Sequence, residues 1–268
     1  MKYRPSLPEH NDNISHNQQF KEFLTLLSGL IAIFLIIFWA LGFFVDIAVT
    51  HITPENEAAL FSKFKPVIDL KLKEPSERQA DLQAITDSLR ECMEVPYPVT
   101  VRLAKSEQSN AIAFPGGTVI VLDGLLDKVK SENGIAFVMA HELGHYINRD
   151  HLQSMGRQIV LLALSTALTG TNSGISKILA NAQAAGIARY SQQQESRADK
   201  TALQALNCLY GHTGGATEFF EALDLEEKGF DNKALHYFST HPELKKRIAN
   251  INSLRESMGF ETKGVKKF

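Results

Sequence analysis

Three kinds of hydrophobic pattern succeed one another along the chain. The first is a run of 23 residues, 23–45, without a charge and dominated by Leu, Ile and Phe. About 20 apolar residues span a bilayer core, so a transmembrane helix is expected over 23–45. A cleaved signal peptide fits less well, because the apolar run exceeds the usual ~7–15 residues and no small-x-small cleavage site follows it. Trp39, Phe43 and Phe44 near its far end suit an interfacial aromatic belt and equally a row that simply faces lipid. The residues before it, 1–22, are polar and rich in Asn, Gln and His, and are expected to form a disordered arm.

The second pattern is helical spacing. Thr53-Pro54 reads as an N-cap followed by proline at the first helical position, opening a short helix toward Phe64. Ser76 and Gln79 resemble a capping box, and the helix they open turns Leu82, Ile85, Leu89 and Cys92 inward. Ile135, Val138, Met139, Leu143 and Tyr146 recur at helical spacing after a start at Ser131-Glu132. Further helices are expected over 190–209, 217–228 and 242–257. Residues 159–170 are apolar but too short for a bilayer span. With 178–188 they are expected to form a buried or lid-forming helical pair, a membrane-dipping hairpin being the lesser reading. The tail, 258–268, is expected to be flexible.

Alternation is the third pattern, and it is scarce. Residues 99–103 and 118–122 read as half-buried strands, with 110–117 an extended piece closed by Pro115-Gly116-Gly117. Together these predict a predominantly helical α+β domain over 53–257 with a small antiparallel sheet.

Composition adds limits rather than a direction. The formal charge of −2 over 268 residues offers no electrostatic case for nucleic acid. Two cysteines without CxxC spacing suggest neither a redox motif nor a cysteine metal site. Cys92 and Cys208 are expected as unpaired buried thiols, with a bridge the alternative in an oxidising compartment. Lys2, Arg4 and Lys21 before the apolar run, against Lys63 and Lys65 after it, favour a cytoplasmic N-terminus. The chain is thus expected as a single-pass protein of the cell (inner) membrane with its domain outside the cytoplasm.

The chemistry concentrates at His141-Glu142-Leu143-Gly144-His145. On a helix, His141 and His145 are i and i+4 and share a face, so both imidazoles can hold one Zn²⁺. Glu142 can then reach a metal-bound water as general base. Glu195 and Asp199, again i and i+4 on an expected helix, supply a third ligand and a carboxylate able to accept the outer N–H of a ligating histidine.

These motifs, with Asn110-Ala111, Phe114 to Gly117, Thr240-His241-Pro242 and Arg247-Ile248, resemble the membrane-associated zinc metallopeptidases that include HtpX, BepA and the CaaX prenyl endopeptidases. The resemblance implies a zincin (gluzincin) fold and one Zn²⁺ per chain held by His141, His145 and Glu195. It also implies Glu142 as base and acid, Asp199 behind a ligand, and His241 near the metal as an oxyanion donor or fourth ligand. Tyr237 is a second candidate donor. Arg247 is expected in the same region as a substrate-binding residue, or else paired with Glu243. Asn110, Ala111 and Phe114 are expected to bind an extended peptide as an added strand. The expected function is an endopeptidase acting on unfolded or membrane-proximal proteins. A membrane-tethered chaperone or assembly factor, with its site closed at rest, is the alternative.

Overall fold

Residues 19–62, 77–95, 97–170, 190–228, 241 and 244–268 are described by the computed structural model. In chain order they hold α1 (Gln19–Thr50), α2 (Pro54–Phe61), α3 (Glu77–Cys92), β1 (Thr100–Ala104), β2 (Ala111–Phe114), β3 (Thr118–Leu122) and α4 (Asp123–Lys128). There follow α5 (Glu132–Ile147), α6 (Asp150–Thr169), α7 (Gln192–Tyr210), α8 (Glu218–Lys228) and α9 (Leu244–Ser257). Helices dominate and one small sheet joins them, an α+β zincin-like arrangement.

The uncharged run lies within α1, a helix long and apolar enough to cross a bilayer, with its large side chains outward. Helix begins at Gln19, so the last residues of the expected polar arm are already helical. Thr53 caps α2 as its sequence suggests, accepting from the Asn56 N–H at 3.3 Å with Pro54 at the first turn. Ser76 and the stretch 178–188 lie outside the described residues.

The sheet is mixed, not antiparallel as expected. Its order is β1-β3-β2, with β3 parallel to β1 and antiparallel to β2. The hairpin from β2 to β3 turns at Pro115-Gly116-Gly117, where both glycines take positive φ (90° and 82°). Residues 105–110 carry the chain past β3, so β3 becomes the central strand. Gln83 of α3 closes the β1 edge, donating to the Val99 carbonyl and accepting from the Val101 N–H, both at 2.8 Å. β2 is the other edge, and α5 packs beside it.

α5 is the axis of the domain, buried from Asn133 to Tyr146. Phe137 meets Phe220 edge to face, and Leu82, Leu89, Leu125, Leu203, Leu206 and Ile251 complete the packing around the helix. Two expectations fail here. Cys92 and Cys208 are joined in a disulfide, with Cα atoms 5.9 Å apart, because α3 and α7 pack together although 116 residues separate the cysteines. The tail is not loose. Lys266 O accepts from the Glu132 N–H at 2.7 Å, Phe268 N–H donates to Lys130 O at 2.9 Å, and Lys266 N–H donates to Asn133 Oδ1 at 2.9 Å. The first N–H groups of α5 lack partners within the helix, and the tail supplies one.

Candidate metal centre

The site depends on how closely α5 and α7 approach. At Gly144 an added Cβ would lie 3.2 Å from the Ala198 Cα, so the two helices touch backbone to backbone. Glu195 and Asp199 flank Ala198, and this contact delivers their carboxyls to the face of α5 that carries His141 and His145. The start of α7 is pinned by a capping box, in which Ser191 accepts from the Gln194 N–H and Gln194 Oε1 accepts from the Ser191 N–H.

His141, His145, Glu195 and His241 each present one ligand-type atom, all within 4.8 Å of one another, and all four side chains are buried. The two Nε2 atoms of the α5 pair are 3.0 Å apart. Glu195 Oε1 is 3.3 Å from His145 Nε2, and Oε2 is 3.6 Å from His141 Nε2. His241 Nδ1 sits 2.8 Å from Glu195 Oε1. The outer nitrogens are also held: His141 Nδ1 lies 3.0 Å from Asp199 Oδ1, and His145 Nδ1 lies 2.9 Å from Asp150 Oδ2. A carboxylate behind each imidazole fixes its tautomer and leaves Nε2 as an acceptor toward the cluster.

Arg247 of α9 is buried beside these groups. Its guanidinium makes two hydrogen bonds to Asp199 and one to Glu195, and it lies 4.5 Å from the Phe220 ring centre. Burial pushes the Glu195 carboxyl up, but His241, Arg247 and the hydrogen bonds from His145 and His241 outweigh it, leaving the group well below the carboxylate range. Asp199 is lowered in the same way by Arg247 and His141. His141 is lowered, first by burial and then by Arg247. Burial would lower His145 too, but hydrogen bonds to Asp150 and Glu195 raise it to about 9.

These residues fit a divalent metal ion on two counts. Four carboxylates (Glu142, Asp150, Glu195, Asp199) face two guanidinium groups (Arg247, Arg197), so negative charge is in excess even with His145 carrying the proton its raised pKa favours, and by two once that proton leaves. Among the described residues, Glu142 Oε1 is also one of the few buried side-chain oxygens without a hydrogen-bond partner. A buried carboxylate oxygen in that position is costly unless something in the working site engages it. Imidazole and carboxylate donors suit zinc among common metals.

The other residues singled out in the sequence divide. Glu142 Oε2 accepts from the Ala113 N–H of the edge strand at 3.1 Å, and its Oε1 lies 3.7 Å from His241 Nε2. Asn110 and Ala111 are buried at the start of β2, where the Ala111 N–H donates to Asn110 Oδ1. Phe114 meets Phe61 of α2 edge to face, farther along the same edge. Tyr237, Thr240, Pro242 and Glu243 lie outside the described residues. Sequence reasoning missed Asp150 and Tyr190. Asp150 is fully buried and also accepts from Gln194 and Arg197. Tyr190 stacks on the His145 ring at 3.8 Å, and burial raises its hydroxyl well above the usual range. The signal for Asp150 was present in principle: a carboxylate five residues after the second histidine, just past a helix end.

The chain matches the model of peptidase family M48 over residues 76–255. It is 33% identical over 148 residues to the mitochondrial metalloendopeptidase OMA1 of Schizosaccharomyces pombe, covering 53% of this chain and 42% of that one. It is 30% identical over 160 residues to the metalloprotease YcaL of Escherichia coli, covering 58% and 61%. The beta-barrel assembly-enhancing protease of E. coli is 27% identical over 183 residues, covering 61% and 36%. The matched region thus spans roughly a third to three fifths of each relative's length. Because the family match runs over well more than half of the chain and takes in every helix that carries the cluster, this protein belongs to peptidase family M48, a family of metallopeptidases.

Proposed function

We propose that this chain is a zinc-dependent endopeptidase anchored in the inner membrane by α1, cutting unfolded or membrane-proximal polypeptides in protein quality control. One observation carries the reading: His141, His145 and Glu195 from two helices converge, with a Glu142 oxygen that accepts no hydrogen bond beside them. Zn²⁺, held by those three residues, would act as a Lewis acid on the peptide carbonyl and lower the pKa of water at the site. Glu142 takes the proton of the attacking water and returns it to the leaving amine. Asp150 and Asp199 keep the imidazoles oriented. His241 would donate to the developing oxyanion, a role supported by its Nε2 lying 3.7 Å from Glu142 Oε1, and Arg247 would keep Asp199 and Glu195 in position through its hydrogen bonds to both. The β2 edge, with Asn110, Ala111 and Phe114, receives an extended peptide through main-chain hydrogen bonds, which explains an expected looseness toward side chains.

The Cys92–Cys208 disulfide supports an oxidising compartment, hence a periplasmic or other extracytoplasmic domain with the N-terminus inside. The near-complete burial of the four donors favours a site closed at rest and keeps a chaperone or assembly role as the second reading. Casein cleavage by purified full-length protein tests the first. Glu142→Gln should retain zinc and lose turnover, and Glu195→Ala should lose zinc. Turnover by Glu142→Gln would refute the assigned base, and stoichiometric zinc in Glu195→Ala would remove the third ligand. If Glu142→Gln restores a deletion strain as well as the parent does, the chaperone reading takes over.

A further inference from the structure

α6 begins inside the metal centre and ends in a stretch that the proposed peptidase chemistry does not use. Residues 158–169 carry no charge, and eight of the twelve are apolar. Ile159 is half exposed, and residues 163 and 167, each one helical turn farther on, are exposed as well. This outward row, Ile159, Ala163 and Ala167, carries no polar side chain, as a face turned to hydrocarbon requires.

The helix it packs against is α1. Arg157 is ion-paired with Asp46 at 2.6 Å, and an added Cβ on Gly156 would lie 2.4 Å from Val45 Cγ1. Asp46 ends the uncharged run of α1, and Arg157 immediately precedes that of α6, so both helices change from charged to apolar at the same level. α1 ends at Thr50, so the residues beyond Arg157 have no α1 to accompany except the part before Asp46. The covered positions on α1 agree: Phe34, Phe38, Gly42, Val45 and Val49 recur at spacings of three and four and are less exposed than their neighbours. Ser165 donates to the Leu162 carbonyl at 2.9 Å, satisfying its hydroxyl within the helix as an apolar solvent requires.

We infer that the C-terminal half of α6, residues 159–169, is embedded in the bilayer beside α1, with lipid hydrocarbon against its exposed face. The inference rests on the proposal that α1 spans the membrane. At about 1.5 Å per residue the uncharged stretch reaches some 18 Å, past the middle of a ~30 Å hydrocarbon core but short of crossing it. Its functional consequence lies at the other end of the same helix. Asp150, which holds His145, is only seven residues from Arg157, about 10 Å along the axis. One rigid helix therefore sets the metal centre at a fixed, short height above the lipid, which restricts substrates to chain segments emerging at the membrane surface.

Trp39 is the chain's single tryptophan and lies in α1, which permits a direct test. Full-length protein is reconstituted in phosphatidylcholine vesicles with and without acyl-chain bromines, and tryptophan quenching is read for the parent. The same is done for Ala163→Trp, Ile159→Trp and Lys200→Trp in a Trp39→Phe background. The expected result is loss of emission in brominated lipid for Ala163→Trp as strong as for Trp39, a weaker loss for Ile159→Trp, and none for Lys200→Trp on α7. Emission from Ala163→Trp that follows Lys200→Trp while Trp39 is quenched overturns this inference alone. An unquenched Trp39 overturns the membrane span and this inference with it.

Discussion

Asp150 offers the sharpest test of how the metal centre is held. Its buried carboxylate accepts from His145 Nδ1 at 2.9 Å, from Gln194 Nε2 at 3.0 Å and from Arg197 Nη2 at 2.5 Å. In Asp150→Ala the imidazole loses the partner that fixes its tautomer, and removal of such an outer partner costs about 10- to 100-fold in metal affinity, or about 1.4–2.7 kcal/mol. The fold pays as well. The His145 N–H is left buried without a partner at about 1–3 kcal/mol, whereas the Gln194 amide keeps its bond to Gln153 Oε1 at 3.2 Å and Arg197, half exposed, regains water and adds little. The assay is competition for zinc against a chromophoric chelator, using full-length protein in detergent, with urea unfolding of the metal-free form in parallel. Glu57→Ala is the comparison, because Glu57 is equally buried but reaches the site only through Arg149 and His151 beside Asp150, so it should lower stability while weakening zinc binding less than Asp150→Ala does. If Asp150→Ala binds zinc as tightly as Glu57→Ala does, the orienting role assigned to the His145–Asp150 bond is wrong.

Two further outcomes follow from the same packing. Glu57 is held by His151 at 3.0 Å, Arg149 at 3.2 Å and the Gly116 N–H at 2.8 Å, and despite burial these partners bring its carboxyl below the ordinary value. Breaking such a buried pair costs about 3–5 kcal/mol. Because the folded pKa is the lower one, that contribution is present above the unfolded value of about 4.3 and fades as pH falls through the folded value. The gap in unfolding free energy between parent and Glu57→Gln should therefore close in acid, and a gap that is undiminished at about pH 3 would contradict an ionised Glu57. Gly144→Val should force α5 and α7 apart at Ala198, costing about 1–3 kcal/mol and weakening zinc binding, with Ala198→Gly restoring part of both. Wild-type affinity in Gly144→Val would show that the helix approach does not position Glu195.

What the sequence determined by itself was local. Helical period alone puts His141 above His145 and Glu195 above Asp199, since residues four apart share a face whatever the helix packs on. An uncharged run of 23 residues announces α1 without reference to any neighbour, and Thr53-Pro54 starts α2 by chemistry confined to one turn. The tertiary structure decided what lies between elements. Cys92 meets Cys208 only because α3 and α7 bury apolar faces against each other, and no spacing encodes that. β3 takes the central place in the sheet because the 105–110 connection passes it, which alternation along a strand cannot report. Asp150 went unnoticed in the sequence, because only the turn through Arg149, at a left-handed φ of 56°, swings it back beneath His145. Arg247 reaches Asp199 and Glu195 because α9 packs on α7. Backbone geometry is repeated and short-ranged, so one chain suffices to read it. Which faces seek each other's company is a property of all the buried surfaces together, and only the folded chain expresses it.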